Sequence, residues 1–136
     1  MSLTDKQITG RLGEDAAVKY LKKNGYRIKD RNIHVSRNEI DIIAEDQEYI
    51  VFVEVKTRSL AGYGSFGKFG SAGRAVDSQK RKNTVEAATS YLREHFSEKT
   101  PRIDVIEVYV GREGSADHVI DINHIRNAFD ARGRKH

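Results

Sequence analysis

The sequence contains no cysteine, and its apolar runs are short. Without cysteine the chain can form no disulfide, no thiolate zinc site and no cysteine nucleophile. The run from Tyr49 to Val53 is among the longest, far below the roughly 20 apolar residues that a membrane span requires. The first residues also lack the apolar segment of a secretory signal. We therefore expect a cytoplasmic protein without membrane contact.

The composition indicates one soluble globular domain over residues 1–136. The chain is 38% hydrophobic and 32% charged, and its length suffices for one core but not for two. The net charge is +4, yet seven basic residues and only one acidic residue lie between Lys56 and Lys82. Such a basic segment suits a polyanionic partner. A solvated helix face beside a flexible loop is the alternative, and charge patterning alone favours it.

Hydrophobic periodicity predicts an α/β fold in which a mixed central β-sheet is flanked by α-helices, in the order αβββαββα. A glycine-rich stretch interrupts this pattern and is expected to form a long functional loop. The predicted segments are a helix from Thr4 to Gly25, strands 26–33, 38–45 and 49–57, the glycine-rich loop 58–75, a helix 77–96, strands 103–110 and 119–122, a short helix 123–129 and a basic tail 130–136.

Three charged side chains, Asp41, Glu54 and Lys56, lie within the two most apolar strands. Buried strands rarely carry charges, because removing a charge from water is costly unless the charge is paired or metal-bound. If the strands form a hairpin centred between Gln47 and Glu48, Asp41 lies directly opposite Glu54, with Cβ atoms roughly 4.5–5.5 Å apart. Two carboxylates this close raise one pKa unless a cation lies between them.

An oxygen-lined site with two carboxylates suits Mg²⁺ or Mn²⁺. Lys56 follows Glu54 by two residues and shares its strand face. Its ammonium group can orient or help to deprotonate an attacking water, or stabilise charge on a phosphate. The pattern therefore predicts metal-dependent cleavage of a phosphodiester. The alternative is a structural ion pair of Lys56 with Glu54 or Asp41 that bridges the sheet.

The order of these residues resembles the PD-(D/E)XK nuclease superfamily, which includes restriction endonucleases and archaeal Holliday junction resolvases. More closely, nearly the whole chain is similar to the YraN-type family of small bacterial proteins. The ordered set of motifs makes this resemblance specific, since Glu-Val-Lys alone would be weak. The matching motifs are Gly10-Arg11-Leu12-Gly13-Glu14, Glu39-Ile40-Asp41, Phe52-Val53-Glu54-Val55-Lys56-Thr57-Arg58, Ala75-Val76, Lys80, Arg102-Ile103-Asp104-Val105 and Asn127-Ala128-Phe129.

The resemblance implies a restriction-endonuclease-like core and assigns roles to the charged residues. Asp41 and Glu54 would bind the metal together with the Val55 carbonyl, and Lys56 would be the catalytic lysine. Glu14 matches a helical glutamate that resolvase-like members place near the metal. Judged by its own position in the sequence, Glu14 is more readily a capping or surface charge on an amphipathic helix.

Residues around the glycine-rich loop are the predicted nucleic-acid contacts. Arg58 lies just beyond the third strand, and Lys68 and Arg74 belong to the basic segment within the loop. Gln79 and Lys80 begin the next helix, where a solvated helix start is the alternative. The five histidines show no metal-ligand spacing, so we expect them at the surface or at strand edges.

Three functions remain open from the sequence. The intact Asp-Glu-Lys set favours a metal-dependent deoxyribonuclease, for which branched, flapped or junction DNA is a candidate substrate. The second is a nucleic-acid-binding module that has the nuclease fold without turnover, and the third is a subunit of a DNA repair or processing complex. No sequence-reading element is evident, so backbone shape is the expected target in each case. Resolvase-like relatives often dimerise, which makes a homodimer or a protein partner a further expectation.

Overall fold

A computed structural model describes residues 5–59, 78–113 and 116–128 of the chain. Within these residues two helices and five strands follow one another in the predicted order. None of the helices in these ranges is long and apolar enough to cross a membrane. The elements are α1 (Asp5–Lys23), β1 (Arg27–Val35), β2 (Asn38–Glu45), β3 (Tyr49–Ser59), α2 (Ser78–Glu94), β4 (Thr100–Glu113) and β5 (Ala116–Ile125).

The five strands form one mixed sheet in the order β1-β2-β3-β4-β5. β1, β2 and β3 pair antiparallel, β3 and β4 pair parallel, and β4 and β5 pair antiparallel. The parallel pair requires a crossover connection, and α2 lies in it. The predicted fold class, a mixed sheet flanked by helices, is confirmed.

Each face of the sheet is covered by one helix. On one face, Ala17, Val18 and Leu21 of α1 pack against residues of the central strands such as Val51 and Ile106. On the other face, α2 contributes its own apolar residues, Ala87, Ala88 and Tyr91, against a second set that includes Phe52. Because β3 has a buried cluster on both faces, its sequence is a near-continuous apolar run rather than an alternating one.

Gly25 ends α1, as its position in the sequence predicts. Its φ of 90° lies in the left-handed region that glycine adopts without a Cβ clash. The N–H of Tyr26 donates to the Leu21 carbonyl at 2.9 Å, and the N–H of Gly25 donates to the Lys22 carbonyl at 3.2 Å. This pair of bonds is the Schellman arrangement, which satisfies two carbonyls at the helix end.

The hairpin register predicted for β2 and β3 is confirmed over the four residue pairs of the ladder, whereas the predicted pair Asp41–Glu54 lies one position beyond its end. Glu45 pairs with Ile50, and the ladder continues to Ile42 with Val53. The turn is closed by Asp46, whose Oδ1 accepts hydrogen bonds from the N–H groups of Glu48 and Tyr49 at 2.8 and 2.7 Å. An Asp side chain that mimics a backbone turn in this way fixes the connection length and therefore the register.

The C-terminal part differs from the prediction. β5 is longer than the predicted strand and continues through Ile125, so residues 123–125 pair with β4 where a short helix was predicted to begin. A turn follows at residues 126–127. Ala128 is not helical either, and its N–H donates to the Ile103 carbonyl at 2.8 Å. The glycine-rich loop beyond Ser59, residue 129 and the basic tail 130–136 lie outside the described residues, as does Thr4, the predicted start of the first helix.

Candidate active site

Asp41 lies where the β2–β3 ladder ends. Ile42 and Val53 are the last paired residues, so Asp41 and Glu54 come next on their strands. One carboxylate oxygen of Asp41, Oδ2, accepts a hydrogen bond from the Val55 N–H at 2.8 Å. A side-chain oxygen thus serves as acceptor for β3 just beyond the last paired residues, and Asp41 is held against the strand that carries Glu54 and Lys56.

Strand β2 changes its packing at Asp41. Ile40 packs into the cluster under α2, whereas Ile42 packs into the cluster under α1. Residues two apart on a regular strand share one face, so the alternation is broken between them. Asp41 consequently lines two cavities, one of about 900 Å³ beside α1 and one of about 390 Å³ beside α2. Asp41 therefore borders a cavity on each side of the sheet.

The surroundings of Asp41 disfavour its ionised form. Burial raises the pKa of Asp41 to about 6, and the charges of Glu54, Glu14 and Glu39 act in the same direction, while the hydrogen bond from Val55 opposes them. Carboxylates gathered in this way repel one another unless a cation lies among them. The local electrostatics therefore favour a bound cation.

Glu54 is the most buried charged residue of the site, with 8% of its surface exposed. Its Oε1 lies 3.0 Å from the Lys56 Nζ and 2.6 Å from the Lys80 Nζ. Its Oε2 is buried and has no hydrogen-bond partner among the described residues. The predicted alternative, an ion pair of Lys56 with Glu54, is thus present, but it accounts for only one of the two carboxylate oxygens.

The two lysines on Glu54 respond differently to their surroundings. Burial lowers the pKa of Lys56, and the neighbouring Lys80 adds to this, although Glu54 opposes both. Burial also disfavours the charge of Lys80, but its hydrogen bonds to Glu54 and Lys56 outweigh this and raise its pKa. Of the pair, Lys56 is the lysine that can more readily give up a proton.

Glu14 reaches the site from α1 because the helix approaches β3 closely at Gly13. A Cβ at Gly13 would collide with the Thr57 side chain, so glycine permits this approach. The Glu14 Oε1 accepts hydrogen bonds from Arg31 at 3.0 and 3.2 Å and from the Asn32 amide at 2.9 Å. Glu14 also lines the larger cavity with Asp41.

The other predicted contact residues are distributed around this centre. Arg58 lies within β3 and its guanidinium is 3.7 Å from the Glu107 carboxylate. Gln79 donates to Asn83 within α2 at 3.0 Å, whereas Lys80 reaches Glu54 directly. Lys68 and Arg74 lie outside the described residues. The structure thus brings together Asp41, Glu54, Val55, Lys56 and Lys80, with Glu14 at the margin.

Arg31 and Asn32 of β1 were not predicted as site residues. A single sequence offers only a weak signal for them, which is an asparagine inside a strand where β-propensity disfavours it. The prediction for His124 offered the surface or a strand edge, and the residue lies on the edge strand β5 with a side chain that is only 4% exposed. Its Nε2 lies 2.6 Å from the buried Asp104 carboxylate, which also binds Arg102. This polar network lies outside the site.

The donor set fits a hard divalent cation only in part. Asp41 and Glu54 with the Val55 carbonyl offer oxygen ligands of the kind that Mg²⁺ and Mn²⁺ prefer. The Glu54 Oε2, which has no partner among the described residues, is an available ligand atom. Across the described ranges, however, no three side chains of Asp, Glu, His or Cys are grouped closely enough to hold an ion by themselves. Such an ion would keep several water ligands, as Mg²⁺ commonly does.

Known proteins identify the family. The profile of the uncharacterised protein family UPF0102 matches residues 13–108. This chain belongs to the UPF0102 family. A UPF0102 protein of Acetivibrio thermocellus is 40% identical over 127 residues, which cover 92% of this chain and 93% of the relative. Another, of Caldanaerobacter subterraneus subsp. tengcongensis, is 39% identical over 130 residues, which cover 95% and 100%. The predicted membership of the YraN-type family is confirmed.

Among solved structures, the UPF0102 chain is similar to SfsA of Pyrococcus furiosus, determined in complex with Ca²⁺. The TM-score is 0.43, the sequence identity is 16%, and the match covers 90% of the UPF0102 chain. It spans 64% of the length of the SfsA chain. A likeness of this extent says nothing about the activity of the UPF0102 protein.

Proposed function

We propose that this UPF0102 protein is a metal-dependent nuclease that hydrolyses phosphodiester bonds, with DNA as its substrate. The observation that carries the proposal is the Glu54 carboxylate. Two lysines hold its Oε1, while its Oε2 is buried without a hydrogen-bond partner in the described part of the chain. A buried polar atom left unpaired is costly. A divalent cation beside Asp41 would relieve that cost and the repulsion among the carboxylates together.

The residues that would hold Mg²⁺ or Mn²⁺ are Asp41, Glu54 and Val55, the last through its carbonyl. The Val55 N–H already donates a hydrogen bond to Asp41, so the backbone of Val55 connects β3 to β2 at this site. When bound, the ion would supply Lewis-acid activation and neutralise charge on the phosphate. This assignment agrees with the raised pKa of Asp41, which burial and neighbouring carboxylates cause.

Lys56 is placed to handle the proton of an attacking water. Its ammonium lies 3.0 Å from Glu54, and burial lowers its pKa. A lysine whose pKa is lowered gives up its proton more readily, and its ammonium form can donate a hydrogen bond to a phosphate oxygen as negative charge develops there. Lys80 keeps its positive charge beside Glu54 and would stabilise the same developing charge.

The basic residues at the start of α2 favour a nucleic acid as the substrate. Lys80, Arg81 and Lys82 are consecutive, and Lys80 lines the smaller cavity with Asp41 and Glu54. Positive charges in this arrangement bind phosphates without reading bases. We therefore propose that the enzyme recognises the backbone and shape of DNA, such as a flap, a branch or a junction.

A non-catalytic nucleic-acid-binding module is the second candidate, and one observation favours it. Glu54 already has two lysine partners, at 3.0 and 2.6 Å. Since buried ion pairs of this kind also occur as purely structural features, the charged set alone does not prove turnover. Such a module would act within a DNA repair or processing complex and would bind substrate without cutting it.

The test is cleavage of a labelled panel in Mg²⁺, Mn²⁺ or EDTA. The panel contains single-stranded, duplex, flap, splayed-arm and four-way-junction DNA, with matched RNA. Wild-type protein is compared with Asp41→Asn, Lys56→Ala and the control Asp121→Asn, which changes an exposed carboxylate on β5. All four proteins are purified identically, so that a contaminating nuclease appears equally in each.

We expect wild type and the control to cut at least one substrate in Mg²⁺ or Mn²⁺. Lys56→Ala should lose roughly 100- to 10,000-fold in rate, the usual contribution of a proton-transfer group, and Asp41→Asn should lose cleavage while still binding DNA. Equal cleavage by all four proteins would identify a contaminant and contradict the proposal. Binding without cleavage on every substrate would favour the binding module.

A further inference from the structure

Three N–H groups from β1 converge on one oxygen of Glu14. The Nε and Nη2 atoms of Arg31 donate to Oε1 at 3.2 and 3.0 Å, and the Asn32 Nδ2 donates to the same atom at 2.9 Å. None of the three bonds involves Oε2. Arg31 also lies 2.7 Å from Asp15 on the same helix. The carboxylate of Glu14 is therefore fixed in position, although its side chain is partly exposed.

The backbone of Asn32 is unusual for a strand residue. Its φ is 52°, in the left-handed region that side chains other than glycine and asparagine seldom adopt. On either side, Ile33 pairs with Ile40 and Arg31 pairs with Ile42, which leaves Asn32 level with Asp41. Asn32 thus lies opposite Asp41, the residue at which β2 switches from packing under α2 to packing under α1. Local strain of this kind persists where the surrounding structure requires it, and it concentrates at functional sites.

Glu14 is close enough to influence Asp41. Both side chains line the cavity of about 900 Å³, together with Arg31 and Asn32. Glu14 is one of the three carboxylates whose charge acts on Asp41. It does not join Asp41 and Glu54 in a group able to hold an ion directly, so Glu14 would act on the ion from outside the direct ligands.

We propose that Arg31 and Asn32 are positioning residues of the nuclease site, which hold the Glu14 carboxylate at the mouth of the cavity shared with Asp41. The inference rests on the proposed function. Partners that orient groups around a metal commonly change metal affinity or activity by roughly 10- to 100-fold when they are removed. The left-handed backbone of Asn32 is, in this account, what turns its amide toward α1.

The test is a double-mutant cycle in which calorimetry measures the Mn²⁺ affinity of each variant. Asn32→Gly removes the amide but tolerates a φ of 52°, because glycine adopts this region freely. Its matched control is Ser36→Gly, since Ser36 has a φ of 56° but lies in the turn after β1. Glu14→Gln and the double variant complete the cycle. Arg31→Lys keeps the positive charge but loses the Nε and Nη2 donors to Glu14, and it should weaken Mn²⁺ binding in the same way if the glycine variant does not fold.

We expect Asn32→Gly to weaken Mn²⁺ binding roughly tenfold or more, with the control unchanged. In the Glu14→Gln background the same substitution should have little further effect, because its action passes through Glu14. The Mg²⁺ concentration for half-maximal cleavage should rise in parallel, with little change in the KM for DNA.

The outcomes separate this inference from the proposed function. Unchanged Mn²⁺ affinity in Asn32→Gly, or a full effect that persists in the Glu14→Gln background, would overturn the positioning role even if wild type cuts DNA. Wild-type protein that binds Mn²⁺ more tightly than Asn32→Gly but cuts nothing would contradict the nuclease and leave the positioning role standing. Wild-type protein that binds no Mn²⁺ would overturn both.

Discussion

Replacing Asp41 with asparagine should stabilise the protein at neutral and alkaline pH in the absence of divalent ions. In the folded protein, burial and neighbouring carboxylates raise the pKa of Asp41 from 3.8 to about 6. The folded state therefore holds a proton that the unfolded chain releases, and stability falls as the pH rises from about 4 through about 6. Asparagine has no proton to lose and can still accept the hydrogen bond from Val55.

The size of the effect follows from the difference between the two pKa values. About two units correspond to about 3 kcal/mol at roughly 1.36 kcal/mol per unit. We expect the free energy of unfolding of Asp41→Asn to exceed that of wild type by most of this amount at about pH 8 and by about half of it at about pH 5. At about pH 5 the unfolded Asp41 carboxyl is ionised, whereas the folded one is largely protonated. Such a gain would be a large fraction of the stability of an ordinary domain.

Urea unfolding in EDTA at about pH 5 and about pH 8 measures this difference. Asp121→Asn is the matched control, since its exposed carboxylate on β5 should change stability by no more than about 0.5 kcal/mol at either pH. Saturating Mg²⁺ should then stabilise wild type more than the Asp41→Asn variant, by mass action on the folded state. Equal stability of wild type and Asp41→Asn at the higher pH in EDTA would show that ionised Asp41 does not destabilise the folded protein.

Two further predictions concern the scaffold. Gly13→Ala should destabilise the protein by about 1–3 kcal/mol, because the new Cβ would meet the Thr57 side chain. Gly10→Ala, whose Cβ would meet nothing within 4 Å, should stabilise it by about 0.5–1 kcal/mol. Thermal unfolding measures both variants, and equal effects would contradict the close approach of α1 to β3 at Gly13. Asp104→Asn should cost about 3–5 kcal/mol, because it leaves the largely buried Arg102 guanidinium without its anionic partner; a loss below about 1 kcal/mol in urea unfolding would contradict this.

The part of the site on β2 and β3 could be predicted from the sequence because it depends on local information. A short acidic turn and two apolar runs determine the register up to the pair of Ile42 with Val53, and Asp41 and Glu54 are the next residues on the two strands. Lys56 follows from the alternation of a strand. The break in the alternation of β2 at Asp41 could not be predicted this way. It coincides with the left-handed backbone of Asn32, which lies opposite Asp41 on β1.

Features that depend on partners distant in the sequence could not be predicted either, because local patterns carry no information about those partners. His124 is buried because Asp104, twenty positions earlier, accepts its hydrogen bond. Pairing of β5 with β4 then extends the strand through Ile125, where local sequence favoured a helix. Arg31 and Asn32 meet Glu14 only when β1 lies beside α1. Tertiary contacts override local propensity in each case.

The proposed function requires a divalent cation that binds between Asp41 and Glu54. Anomalous X-ray diffraction from crystals grown with Mn²⁺ would locate such an ion directly. We predict one strong peak within about 2.0–2.6 Å of carboxylate oxygens of both residues and of the Val55 carbonyl, with the peak absent from Asp41→Asn crystals. A peak elsewhere, or none at this position while Lys56 and Lys80 remain on Glu54, would contradict a metal site at these residues.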